Sequence, residues 1–362
     1  MTDICLGPKR YVQHPGVLAE AGAHLSSFGR RPMILCDELV RSILRPLLEE
    51  PLQSAGLAPC FTSFGVECSQ AEVARLTAIG RSDKVDFIVG TGGGKAIDTA
   101  RAVAGRLDLP LVTIPTSAAT CSAASTVSVL YENGIRTDTI NGKAAELVLV
   151  DSAIVAAAPS RLLAAGLGDT LAKWYEGKPT YDQTPDPPPS LQAALALSTQ
   201  VKETIFEFGL KAKQDVDAGQ HSAAAEKMIE ANILIAGVIG GIGGRTFRVA
   251  LAHALLYGLT ILPQVHEYLH GEVVSYGLVV QSCLERNEAE LDRLISFFSQ
   301  LGLPVTLAEV GIVDSESPGF REGLRLTCAK GSSAHNLTRP VDEKNLLQAI
   351  LEVEERVGQM RR

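Results

Sequence analysis

Asp86-Phe87-Ile88-Val89-Gly90-Thr91-Gly92-Gly93-Gly94-Lys95-Ala96-Ile97-Asp98-Thr99-Ala100-Arg101-Ala102-Val103-Ala104 passes from a β-rich apolar run through a glycine turn into a helix-forming stretch. Glycines at a strand end let the backbone come close to a bulky anion, and the free amides and dipole of the next helix supply positive potential. Lys95 adds a full charge, so the turn reads as a phosphate cradle. It is not the P-loop, which needs glycine at position 89 and Ser or Thr at 96, where Val89 and Ala96 stand. It is not Gly-x-Gly-x-x-Gly either, because Lys95 takes the place of the last glycine. A ligand-free βα turn is the competing reading of this segment alone.

Outward from this turn, short apolar runs at 32–37, 59–64, 85–90, 109–115, 127–131 and 147–151 alternate with amphipathic segments at 38–54, 70–81 and 95–107. That alternation predicts an α/β domain over 1–158, Rossmann-like, with a mostly parallel sheet and ligands at the carboxyl ends of its strands. Beyond it, helical spacing at 162–176, 191–209, 223–239, 247–256, 273–286, 288–301 and 343–357 predicts an all-α domain over 159–362. Five prolines between Pro179 and Pro189 are expected to hold an exposed loop inside the helical half. Gly237, Gly240, Gly241, Gly243 and Gly244 are read as sites of close backbone packing rather than ligand contact.

The 362 residues carry a net charge of −8 and no basic run, which argues against a nucleic-acid partner. The stretch 231–244 is short and rich in glycine, so no membrane partner is expected. Met1-Thr2-Asp3-Ile4-Cys5 has no basic region leading into an apolar core, which predicts a cytoplasmic address. Seven scattered cysteines, none spaced Cys-x-x-Cys, are expected to be reduced and mostly buried.

Two further places bear chemistry-capable side chains. His253, His266 and His270 cluster in sequence, with His266 and His270 spaced to share a helix face, although each alone reads as a structural histidine. Asp169 opens an apolar helix in Gly168-Asp169-Thr170-Leu171-Ala172-Lys173-Trp174-Tyr175-Glu176, where capping or an ion pair with Lys173 is the blander account.

Taken in order, Gly92-Gly93-Gly94-Lys95-x-x-Asp98-Thr99, Ile114-Pro115-Thr116 with Ala119-Thr120, Gly168-Asp169, Ala252-His253, Leu259-Thr260 and His270-Gly271 resemble the glycerol dehydrogenase and iron-containing alcohol dehydrogenase superfamily. The resemblance runs over nearly the whole chain, and 3-dehydroquinate synthase is a more distant relative. It implies a dehydroquinate synthase-like fold and an NAD(P)-dependent dehydrogenase acting on CH–OH groups. It implies one divalent metal, zinc or iron first, held by Asp169, His253 and His270, which are also the catalytic set. It implies a nicotinamide dinucleotide on Asp37, Gly92, Gly93, Gly94, Lys95, Asp98, Thr116, Ala119, Ser125, Val127 and Tyr131. The negative charge of Asp37 favours NAD over NADP, because it would repel a 2′-phosphate. A homo-oligomer is the expected assembly.

Where glycerol dehydrogenases carry an aspartate shortly after Pro-Thr, this sequence has Cys121, and relatives often have a further histidine where Leu256-Tyr257 stand. Thr120-Cys121, the run 168–176, Arg248-Val249-Ala250 and the run 259–264 look especially similar to the bacterial hydroxycarboxylate dehydrogenases. The small-molecule substrate is therefore expected to be a 2-hydroxy acid/2-oxo acid pair, met by Cys121, Lys173 and Arg248 or Arg245. That branch tends towards NADP, against which Asp37 stands. The alternatives are a glycerol or other polyol dehydrogenase and a cyclase or lyase like 3-dehydroquinate synthase.

Overall fold

The computed structural model describes residues 4–65 and 67–362; Met1-Thr2-Asp3, read above for a leader, lie outside them. The described residues form eight strands: β1 (Tyr11–His14), β2 (Pro32–Cys36), β3 (Cys60–Ser63), β4 (Phe87–Gly92), β5 (Leu111–Pro115), β6 (Val127–Glu132), β7 (Ile135–Asn141) and β8 (Leu147–Asp151). Six of them make one parallel sheet in the order β1-β8-β5-β4-β2-β3. The inner strands β2, β4, β5 and β8 are buried along their whole length, as both-face coverage requires of uniformly apolar sequence. The edges β1 and β3 are only partly buried. The run 127–131, expected in this sheet, instead pairs antiparallel with β7 as a separate hairpin.

The helices of the first half are α1 (Ala21–Leu25), α2 (Glu38–Ser54), α3 (Gln70–Ser82), α4 (Gly94–Leu107) and α5 (Ser152–Ala157). On α2, Val40, Leu44, Leu48 and Leu52 repeat every fourth residue and bury one face in a cluster with Ile34, Val89, Val112 and Leu149. Each such leucine contributes about 2 kcal/mol by leaving water. The chain then forms α6 (Ser160–Asp182), α7 (Pro189–Asp217), α8 (Ala223–Glu230), α9 (Ala236–Gly243), α10 (Leu251–Leu259), α11 (His270–Leu284), α12 (Glu288–Leu301), α13 (Pro318–Thr327) and α14 (Glu343–Met360).

Two compact units result, one of residues up to Pro159 with Asp215–Gly241, the other of Ser160–Gln214 with Ile242–Arg362. The segment Asp215–Gly241, placed by pattern in the helical half, belongs to the sheet unit. There Gln13 Nε2 donates to the Glu226 carbonyl at 3.0 Å and Asn232 Nδ2 to the Ala118 carbonyl at 2.9 Å. A π turn at Ala231–Ile235 interrupts the helix expected over 223–239. A Cβ on Gly237 would lie 2.9 Å from that of Ala124, so this glycine permits close packing. By length and composition Ala223–Phe247 could cross a membrane, and 50% of its most apolar window is buried within the protein.

The loop expected from Pro179 onwards starts later, because Pro179 lies inside α6. Proline lacks an amide and would orphan the Tyr175 carbonyl one turn back. Gln281 Nε2 donates to that carbonyl at 2.7 Å, so the helix continues to Asp182. None of the seven cysteines is in a disulfide, and three of them, Cys36, Cys68 and Cys283, are buried, fewer than expected.

Candidate active site

In the sheet unit, the connection leaving β2 leads outward to β3, while the one leaving β4 leads the other way to β5. The carboxyl ends of β2 and β4 therefore flank the point where the winding reverses, the usual crevice for a dinucleotide. Asp37 stands at the end of β2 as the N-cap of α2, its Oδ1 accepting from the Val40 amide at 2.8 Å. Gly92 closes β4 with φ +100°, a conformation glycine adopts without strain, and Gly93 caps α4. A Cβ built on Gly93 meets nothing within 4 Å, so the turn has open space above it, whereas one on Gly94 would lie 3.0 Å from Thr120 Oγ1. The Thr116 amide donates to the Gly92 carbonyl at 3.2 Å and ties the loop after β5 to the turn.

Lys95, in the first turn of α4, places Nζ 5.3 Å from the centre of the Tyr131 ring. Ala119 lies in the same loop as Thr116, and Ser125 Oγ accepts from the Val127 amide at 3.2 Å where β6 begins. Asp98 differs from these. Its Oδ1 accepts from Arg101 at 2.8 Å and Ser122 Oγ at 2.5 Å, and its Oδ2 from the Val129 amide at 3.0 Å. Oδ1 accepts twice and Oδ2 once within the protein, so Asp98 braces the turn. Cys121 caps the short 3-10 turn Ser122–Ala124 and is half-buried.

In the helical unit, Asp169 lies well inside α6, which begins at Ser160; the capping account therefore fails. His253 sits on α10 and His270 opens α11. Glycines set the spacing of these helices. A Cβ on Gly271 would fall 1.9 Å from the Ala165 carbonyl oxygen, and one on Gly168 would fall 1.9 Å from Ser275 Oγ. Only bare backbone lets α6 and α11 touch there, one residue away from Asp169 and from His270.

Three nitrogens converge on Asp169 Oδ1: His253 Nε2 at 3.4 Å, His270 Nε2 at 3.7 Å and Lys173 Nζ at 3.8 Å. Asp169, His253 and Lys173 are buried, and His270 is partly exposed. Oδ1 itself is buried and accepts no hydrogen bond among the described residues, an orphan in a largely buried site. Donor atoms of Asp169, His253 and His270 lie within 4.8 Å of one another. Two ligands of a tetrahedral ion at ~2.1 Å stand ~3.4 Å apart, so the spacing suits a divalent cation. Burial alone would push the Asp169 carboxyl up; the Lys173 ammonium and the two imidazoles overcome this and hold it well below the usual carboxylate range. The Asp169–Lys173 pair is present, but buried rather than on the surface.

His253 is gripped from its other side by Glu176, which is fully buried and whose Oε2 lies 2.5 Å from Nδ1. Burial disfavours the imidazolium, yet the Glu176 and Asp169 carboxylates raise the His253 pKa to about 9. Sequence reasoning passed over Glu176, although its place two turns after Asp169 was a usable signal. His266 does not join the cluster: it lies in a 3-10 turn and its Nε2 donates to the Thr260 carbonyl at 2.6 Å. Around His270, Glu272 accepts from the Leu269 amide at 2.7 Å and pairs with Arg161 at 2.5 Å, fixing the start of α11. Arg245 and Arg248 lie in and just after the 3-10 turn Gly244–Phe247, ahead of α10.

Residues 8–152 match the family model described as iron-containing alcohol dehydrogenase. A glycerol dehydrogenase from Pseudomonas putida is 37% identical over 97% of this chain and 97% of its own length. Hydroxycarboxylate dehydrogenase A from Escherichia coli is 32% identical, again over 97% of both chains. Among solved structures, a probable glycerol dehydrogenase from Sinorhizobium meliloti superposes with a TM-score of 0.87 at 31% identity, covering 99% of this chain and 100% of that one.

Proposed function

Since the chain belongs to the iron-containing alcohol dehydrogenase family, we propose that it catalyses the metal-dependent, NAD-linked oxidation of a small polyol, glycerol first, and the reverse reduction. The observation that carries this is the orphaned Asp169 Oδ1 facing two imidazole nitrogens. One carboxylate and two imidazoles are a donor set for zinc or iron(II), with positions left for a substrate oxygen. When bound, the cation supplies Lewis acidity to a substrate hydroxyl and the nicotinamide supplies the hydride acceptor.

The side chains do the rest. Asp169 stays ionised and His253 presents Nε2 inward, while Lys173 keeps a positive charge beside the carboxylate. In the sheet unit, Gly92, Gly93, Gly94 and the α4 amides cradle a pyrophosphate, and Asp37, held by the Val40 amide, accepts from a ribose hydroxyl. The same carboxylate disfavours a 2′-phosphate, so NAD is preferred to NADP.

Glycerol leads because several glycerol dehydrogenases match at higher identity than the hydroxycarboxylate dehydrogenase does. The second reading, a 2-hydroxy acid/2-oxo acid pair, is favoured by the buried Lys173 ammonium and by neutral Cys121. A panel of glycerol, small diols, aldehydes and 2-oxo acids, run with NAD and NADP after chelation and with zinc or iron(II) restored, tests both. The first reading expects glycerol oxidation with NAD that chelation abolishes and metal restores. Turnover of 2-oxo acids with none of glycerol moves the assignment to the second. A lyase would leave no net reduced nicotinamide.

A further inference from the structure

We infer that Glu176 is a positioning residue that commits His253 to binding a cation through Nε2; the inference rests on the metal reading above. Glu176 follows Asp169 by seven residues on α6, so the two carboxylates project from the same face of the helix and bracket one imidazole between them. Asp169 meets Nε2 and Glu176 meets Nδ1.

The placement of Glu176 is over-determined. Its Oε1 accepts from the Ala250 amide at 2.7 Å and the His253 amide at 3.0 Å, two of the unpaired donors at the start of α10. Ala250 has no polar side chain with which to cap that helix, so the cap comes from α6. With two amides donating to Oε1, the carboxylate acts as the acceptor on Oε2 as well, so His253 Nδ1 carries the proton and donates it to Oε2. The Nε2 lone pair then faces Asp169 Oδ1, itself a bare acceptor. Two acceptors 3.4 Å apart need a proton or a metal ion between them, and a metal ion that displaces the proton takes the Nε2 lone pair.

Glu176→Gln separates this role from simple capping. The glutamine carbonyl oxygen still accepts from the α10 amides, while its NH2 group now faces Nδ1 and donates. Nδ1 must become the acceptor, the proton moves to Nε2, and the nitrogen aimed at the cation is blocked. Zinc affinity, measured by competition with a chromophoric chelator, is expected to fall ~10–100-fold, the range for a lost partner of a ligating histidine. The melting temperature of the metal-free variant should stay within a few degrees of the parent.

Nitrogen-15 spectra of histidine-labelled, zinc-loaded parent protein should show His253 with a proton on Nδ1 and none on Nε2, which a merely structural role would not dictate. A parent protein whose His253 carries its proton on Nε2 overturns the inference, and this reading does not depend on the variant folding. Zinc binding by the variant equal to the parent's also overturns it. Both results leave the metal reading standing, whereas a parent protein that binds no zinc removes the metal reading and this inference together.

Discussion

At Asp169 and His253 the candidate cation site is contested by protons. The pKa of about 9 on His253 means that, at neutral pH, a proton must leave before Nε2 takes a metal ion. Apparent zinc affinity should therefore rise up to ~tenfold per pH unit from about pH 7 to about pH 9 and then level off. Chelator competition across that range checks this, and a flat profile would contradict it. The sign for stability is opposite. A raised histidine pKa stabilises the metal-free fold fully below its unfolded value of about 6.5, and that contribution is lost as pH rises through about 9. The metal-free protein should melt lower at pH 9 than at pH 7. Asp169, His253 and His270 were legible because distinctive neighbours surround each one. Glu176 was passed over, although its spacing of seven from Asp169 puts it on the same helix face, because nothing in one segment says that the start of α10 packs against it. Asp98, read as a cofactor contact, is held by Arg101, Ser122 and the Val129 amide, bonds that no local pattern announces.

On α6, the proline and the glutamine opposite it form one unit. Gln281→Leu would leave the Tyr175 carbonyl buried without a donor and also remove the 3.4 Å contact to the Ala252 amide, a loss of ~1–3 kcal/mol. Adding Pro179→Ala restores the in-helix amide, so the double variant should recover part of that loss in denaturant titration; strict additivity would refute the pairing. Pattern reading found α2 and α12 within their bounds and the buried strands closely, because period and apolarity are local. It failed at Pro179, where a distant side chain rescues the helix, and at β1, whose Tyr-Val-Gln-His edge sequence has no apolar run. It misplaced β6 because pairing partner, unlike strand propensity, is not written in one segment.

Across the molecule, the two candidate ligand sites sit on separate stretches of chain. Zinc should slow amide exchange in α6, α10 and α11, and NAD alone in the β2–α2 and β4–α4 turns, when followed by hydrogen-exchange mass spectrometry. Zinc protection confined to the β4–α4 turn would sink the assignment of sites. The α/β-then-α plan was readable from the change in period near residue 159, but the return of Asp215–Gly241 to the sheet unit was not, since an apolar helix does not name the surface that covers it.

That returning segment has a consequence for how the protein is made. On a ribosome the last sheet strand, β8, emerges long before Asn232 and Gly237, which fasten onto Ala118 and Ala124. The nascent sheet thus waits with part of its surface bare until residue 241 has cleared the exit tunnel, by which time α6 has also appeared. A nascent chain stalled once β8 has left the tunnel but before Asp215 has should recruit holding chaperones that one stalled well past 241 no longer needs.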